Sequence, residues 1–328
     1  MSISLKSQKM LWGRAAGRCS LPECRLDLYE DETETDDPTL VGENCHIVAE
    51  SDDGPRPNPD IPVEKRNTYA NLILLCRNHH KVIDAQEGRY TVEFLHRIKN
   101  EHEAWVREQL GLDTAKQEID ERYAGLIDTW QRLAHVENWL AWSSSVLSGG
   151  QPTLRREISD DLDELRHWLL NRVWPRYYPG LERSFENFRR VLEDFYNLFH
   201  RHAEPVGDGH MLLTRKFYQI DEWNDERYQR LFSQYEFHVD LVQDLMLELC
   251  RAANLICDRV RETFMSGFML SEGRLMIQSG PSMSGAFREH VVEYSEEEIN
   301  QELPYASLQQ FMNDRVDRDY HFGEGTAP

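Results

Sequence analysis

The sequence has no long apolar run and few cysteines. No stretch approaches the roughly 18 apolar residues of a membrane-spanning helix. The first residues, MSISLKSQKMLWGR, have no apolar core like that of an export signal. We therefore expect a cytoplasmic protein with no membrane partner. Of the six cysteines, four precede residue 77 and stand near histidines, which predicts metal binding rather than a disulfide framework.

The sequence also lacks the positive charge that is typical of nucleic-acid binding, since its formal net charge is -21. Residues 111–328 carry -15 of this and residues 1–110 carry -6. The acidic segment Asp27–Asp37 has seven carboxylates and no base, so the rest of residues 1–110 is near neutral at +1. Binding of DNA by charge alone is therefore expected to be weak. The acidic segment is interpreted as a solvated insertion, or alternatively as a gate over a phosphate path.

A chain of 328 residues has room for two domains of ordinary size. We predict a first domain over residues 1–110, a polar linker over 111–118 and a second, mainly helical domain over 119–328. In the second domain, aromatic and aliphatic residues recur at helical spacing. Phe268–Gln278 predicts one β-hairpin turning at Glu272-Gly273. No repeat or catalytic motif is found beyond residue 110.

The segment NLILLCRNHHKVID, Asn71–Asp84, concentrates metal-binding chemistry. Its apolar run predicts a strand over Leu72–Cys76, and Arg77-Asn78 precedes a predicted helix. Cys76 and His79 have the C-x2-H spacing of half a zinc site. Upstream, Cys19 and Cys24 form a C-x4-C knuckle. These four residues predict one tetrahedral structural Zn²⁺.

A second cluster follows on the same predicted helix. His80 lies one turn before Asp84, so both side chains share a face and are able to reach one metal ion or one phosphate. Farther upstream, Cys45 and His46 stand at the end of a short strand-like segment, Gly42–Ala49.

The series His46, Asn71 and His80, together with the C-x4-C and C-x2-H pairs, resembles the HNH endonuclease family. The resemblance covers residues 10–107, about a third of the chain. It implies an α+β module in which a two-stranded hairpin and a helix, the ββα-metal fold, surround one catalytic divalent metal. The expected fold class is therefore this module with a zinc knuckle, followed by the mainly α-helical domain.

The resemblance also implies roles for individual residues. His46 is expected to deprotonate water, with His96 or His102 as the next candidates. His80 and Asp84 are expected to hold Mg²⁺ or another divalent metal, with Glu43 as a further oxygen ligand. Asn71 either braces the loop of His46 or completes the metal environment.

Three residues have open alternatives. Cys45 stands where some members of the family have a metal ligand, and it is either a soft ligand or a small filler. Arg56 is either a phosphate contact or an ordinary ion-pair partner, and Lys81 is a further candidate for contact with nucleic acid.

The expected function is metal-dependent hydrolysis of DNA, with RNA not excluded. The acidic helical domain suggests a regulated effector, for example in antiphage defence, that forms a homodimer or binds a regulatory protein through residues 119–328. The alternative is a zinc-stabilised module that binds nucleic acid or protein without catalysis, with function residing in the helical domain.

Overall fold

The computed structural model describes residues 3–30, 39–110, 114–148, 150–222, 224–281 and 284–323. The chain divides into two compact units, Met1–Thr129 and Trp130–Pro328. Among the described residues, no helix has both the length and the apolar character needed to span a membrane.

The first unit is an α+β structure built around a small hairpin. Its elements are α1 (Leu5–Arg14), β1 (Tyr29–Glu30), β2 (Thr39–Leu40), β3 (Gly42–His46), α2 (Val63–Arg66), a 3-10 turn (Tyr69–Asn71), β4 (Leu72–Cys76), α3 (Arg77–Ala85), α4 (Val92–Leu110) and most of α5 (Thr114–Leu133).

Strands β3 and β4 pair antiparallel, with Gly42 opposite Cys76 and His46 opposite Leu72. All five residues of β4 are buried, because this strand lies in the core, and the predicted strand is confirmed. Helix α3 begins at Arg77, directly after β4. The hairpin and α3 together form the expected ββα arrangement. Successive side chains of a strand point to opposite faces, so His46 does not share the core-facing side of β3 on which Cys45 is buried.

The first part of α5 belongs to the first unit because it is bonded to α1. The Asp128 carboxylate accepts hydrogen bonds from the backbone N–H groups of Leu5 and Lys6 at 2.7 and 2.8 Å. The first N–H groups of any helix have no acceptor within the helix itself, and Asp128 supplies one for these two. Arg14 forms an ion pair with Glu121. The division between the units therefore falls within α5 and after the predicted linker, of which residues 111–113 lie outside the described residues. The domain assignment itself stays a prediction.

The second unit is mostly helical, as expected, and it also has small sheets. It contains a 3-10 turn (Val136–Asn138), α6 (Trp139–Leu147), β5 (Thr153–Arg155), α7 (Arg156–Leu170), α8 (Pro179–Arg201), β6 (Ala203–Val206), β7 (Met211–Thr214), α9 (Asp225–Thr263), β8 (Ile277–Ser279), β9 (Arg288–His290), α10 (Glu296–Ile299), α11 (Leu308–Asp314) and a 3-10 turn (Arg315–Asp317).

The predicted hairpin around Glu272-Gly273 is wrong in position. Strand β8 begins only at Ile277 and pairs with β9, whereas the preceding residues form turns. Asn254 of α9 explains the difference, because its side chain bonds both the N–H and the C=O of Leu275 at 2.9 Å. The backbone of this segment is thus held by α9 and not by a strand partner.

Candidate metal and catalytic site

The zinc ligands come from three places in the first unit. Cys19 and Cys24 lie in the turn that follows α1, Cys76 ends β4, and His79 is in the first turn of α3. Their ligand atoms all lie within 4.8 Å of one another, and His79 Nδ1 is 3.2 Å from Cys76 Sγ and 3.5 Å from Cys19 Sγ. Ligands of a tetrahedral zinc with bonds of about 2.3 Å are themselves separated by about 3.8 Å. The four residues therefore form the predicted Cys3His zinc site.

Cys19 is fully buried, so its thiolate form requires a nearby positive charge. Burial raises the pKa of the Cys19 thiol to about 12, and a thiolate is the form that binds metal. A divalent ion among the four ligands supplies the charge that a buried thiolate requires. The site then links the knuckle at residues 19–24 to the junction of β4 and α3.

The second cluster is centred on His80. Its Nδ1 lies 2.5 Å from Glu43 Oε2 and its Nε2 lies 3.1 Å from Asp84 Oδ2. Each of the three side chains is about one-third exposed. The imidazole thus bridges two carboxylates through different ring nitrogens. Within the described part of the chain, the Cys3His set alone brings three or more such ligand atoms within 4.8 Å of one another.

Arg56 lies beneath this cluster and is buried. Its guanidinium donates hydrogen bonds to the carbonyl oxygens of Ile47 and Ile83 at 2.9 and 2.7 Å and to Asp84 Oδ1 at 2.7 Å. A longer contact of 3.4 Å reaches the carbonyl of His46. Arg56 therefore ties the end of β3 to α3. This placement favours an internal bracing role over the contact with phosphate.

Two asparagines surround the end of β3. The Asn71 amide accepts a hydrogen bond from the N–H of Val48 at 2.9 Å and donates to the carbonyls of Val48 and Arg66 at 2.8 and 2.9 Å. These contacts favour the bracing alternative for Asn71. His46 Nε2 lies 2.7 Å from Asn67 Oδ1.

A comparison with family models matches residues 24–87 to a model described as HNH endonuclease. The expected resemblance is confirmed for this segment. No curated protein matches the chain. The matched residues, which we call the HNH segment, are about a fifth of the chain. They contain β3, β4 and α3 with the His80 cluster, and three of the four zinc ligands, while Cys19 lies just before them.

Asn67 is a residue of the HNH segment that the sequence analysis missed. Its Nδ2 donates to Glu50 Oε1 at 3.0 Å, and this hydrogen bond lowers the pKa of Glu50. No sequence spacing predicts these contacts, because Asn67 and His46 are 21 positions apart.

The other candidates in the first unit differ in accessibility. Cys45 is fully buried in the core, its thiol donates to the carbonyl of Glu43 at 3.3 Å, and burial raises its pKa far above the ordinary value. This favours the filler alternative. Lys81 is exposed on α3. His102 is buried and bonded to the carbonyl of Ala15, and burial lowers the pKa of both His96 and His102.

Proposed function

We propose that the HNH segment is a metal-dependent endonuclease that hydrolyses DNA. One observation carries the proposal: Arg56 holds two accessible histidines of the matched segment at a fixed separation. It bonds the end of the strand at His46 and also the helix that bears His80 and Asp84. Phosphodiester hydrolysis requires a base for water and positive charge at the phosphate. A fixed separation between the two groups supports both roles.

His46 is the proposed general base. Asn67 Nδ2 donates to a carboxylate, which only accepts, so the amide presents its oxygen to His46. An amide oxygen also only accepts, which places the ring proton of neutral His46 on Nε2. Nδ1 then keeps its lone pair and takes the proton from water.

His80 and Asp84, with Glu43 beside them, are the proposed ligands of the catalytic metal. Two carboxylates and an imidazole suit Mg²⁺ or Mn²⁺. When bound, such an ion stabilises the charge that develops on the phosphate and on the leaving oxygen. On the protein side, Arg56 holds one oxygen of Asp84, so the carboxylate keeps its orientation.

The second unit is proposed to regulate cleavage in a cytoplasmic effector, through dimerisation or a protein partner. The charge distribution supports this: residues 111–328 carry a net charge of -15, which disfavours spontaneous encounter with nucleic acid. A role in antiphage defence is one setting for such a regulated nuclease.

The test is incubation of the purified chain with supercoiled plasmid and, in separate reactions, with a structured RNA, each with Mg²⁺, Mn²⁺ or Ni²⁺. We expect metal-dependent nicking of the plasmid and a loss on the order of 10² or more in His46→Ala. The matched control is His210→Ala, since His210 is exposed in the second unit. If His46→Ala retains cleavage, His46 is not the base. If only RNA is cleaved, the substrate is RNA and not DNA.

A second candidate function is binding without catalysis by a zinc-stabilised module. One observation favours it: both ring nitrogens of His80 already have carboxylate partners. This alternative predicts DNA or protein binding that requires zinc, with no nicking under any of the three added metals.

A further inference from the structure

A cavity of about 580 Å³ lies within the second unit. Its walls are the end of α8, the segment 215–220 after β7, the first half of α9 and α11. The volume is in the range of small-molecule sites. Nothing in the proposed nuclease mechanism uses this cavity.

The charged groups that line the cavity are all basic. Arg201, Arg215 and Arg227 contribute to its wall, whereas no aspartate or glutamate does. Arg227 pairs with Glu222 at 2.8 Å. Arg201 and Arg215 are exposed, and neither forms an ion pair with any residue that the structure describes. In a unit whose residues 130–328 carry a net charge of -12, such a basic lining favours an anion.

The wall of the cavity also contains a buried histidine. His238 is only 6% exposed, it lines the cavity, and its Nε2 has no hydrogen-bond partner among the described residues. A buried polar atom without a partner is rare, because it costs free energy. Burial, and then the neighbouring His202 and Arg201, lower the pKa of His238 to about 4. The imidazole is therefore neutral at pH 7 and adds no charge to the lining.

Apart from Gln234, the rest of the lining is apolar and aromatic. The rings of His202 and Phe217 lie 4.2 Å apart at 33°, and Leu198, Leu231 and Leu241 are among the aliphatic residues of the wall. A simple inorganic anion would make no contact with this apolar surface, and a simple hydrocarbon would make no hydrogen bond with the arginines. The combination fits a molecule with a phosphate at one end and a flat ring at the other.

We propose that this cavity binds a nucleoside phosphate. Arg201 and Arg215 hold the phosphate, and the ring of Phe217 and the leucines contact the base. The site belongs to the second unit and goes beyond the proposed nuclease function, so binding is measured without reference to cleavage.

The experiment is isothermal titration calorimetry of the purified full-length chain with ATP, GTP, CTP and UTP, and with adenosine and tripolyphosphate as the separate parts of ATP. At least one nucleotide is expected to bind one per chain and at least tenfold more tightly than tripolyphosphate. Equal binding of tripolyphosphate and every nucleotide indicates a simple anion site and overturns the proposal. The absence of saturable binding by all four nucleotides also overturns the proposal.

Substitutions of cavity residues test whether the nucleotide binds in this cavity. Arg201→Gln and Arg215→Gln are each expected to weaken binding about tenfold, since each removes charged hydrogen bonds to phosphate. Both residues are exposed, so these substitutions are expected to leave the fold unchanged. The matched control is Arg183→Gln, an exposed position on α8 about 27 Å from Arg201 along the helix. Equal affinity in the control and in both cavity variants overturns the assignment.

Discussion

The ring of His46 is held by Asn67 at 2.7 Å, measured from Nε2 to Oδ1. His46 ends β3, whereas Asn67 lies within the connection between β3 and β4, where Glu50 accepts a hydrogen bond from its Nδ2. The orientation of the proposed base therefore depends on loop residues. It does not depend on the hairpin alone.

Changes of Asn67 are expected to alter the pH dependence of cleavage. Asn67→Asp keeps an acceptor for Nε2–H and adds a negative charge, which stabilises the protonated form of a neighbouring base. A base is active when deprotonated, so the acidic limb of the kcat profile moves to higher pH. Asn67→Ala adds no charge, and we expect kcat to fall about tenfold without that movement. The measurement is the pH–rate profile of plasmid nicking.

The control for this pair is Asn197→Asp, which adds the same charge at an exposed position in the second unit. Identical pH profiles for wild type and Asn67→Asp are incompatible with direct contact between Asn67 and the titrating base.

The residues of the first unit differ in how far the sequence predicted their contacts. The zinc set was predictable because C-x4-C and C-x2-H spacings are local, and each pair occupies one turn. The contacts of Asn67 and Arg56 were not predictable, because both residues lie in the connection between β3 and β4 and bond partners far along the chain. Sheet β5-β7-β6 was missed because its strands have only three or four residues, too short for a periodic signal.

Loss of a zinc ligand is expected to unfold the first unit. Cys24→Ser removes one of four ligands from a site that contributes on the order of 10 kcal/mol to folding, so helical signal from the second unit is expected to persist alone. Metal analysis and hydrogen exchange measure the two effects. The matched control is Cys45→Ala, a buried cysteine of the same core, which is expected to keep one equivalent of zinc. Less than about half an equivalent in the wild type contradicts a closed structural site.

Replacement of Arg56 is expected to reduce stability before it reduces DNA affinity. Arg56→Ala leaves the buried carbonyls of Ile47 and Ile83 without their donor, at a cost of about 1–3 kcal/mol for each. Denaturant unfolding of the zinc-loaded protein measures the change. Arg107→Ala, at an exposed position of α4, is the control and is expected to stay within about 0.5 kcal/mol of wild type. Unchanged stability with weakened DNA binding supports a phosphate contact instead.

The last prediction concerns the acidic segment, of which residues 31–38 lie outside the described residues. The flanking strands pair, with Glu30 opposite Thr39, and β3 begins at Gly42. Five carboxylates are thus inserted directly before the strand that ends at His46. Neutralising Asp31, Glu32, Glu34, Asp36 and Asp37 to Asn or Gln is expected to leave stability within about 0.5 kcal/mol and to raise plasmid cleavage at low salt.

The salt dependence of the gain in cleavage, together with a control variant, distinguishes local repulsion by the acidic segment from an effect of the protein's net charge. Charges separated by more than about 10 Å are screened at 0.1 M salt, so repulsion of DNA phosphates by the segment weakens as salt rises, and the gain is expected to shrink. A control variant removes the same number of charges from exposed positions of the second unit, namely Glu272, Glu289, Glu297, Glu302 and Asp317. An equal gain in both variants assigns the effect to net charge. Equal cleavage by wild type and the neutralised variant at every salt concentration identifies the segment as a solvated insertion. Regulation of cleavage would then be sought in residues 111–328.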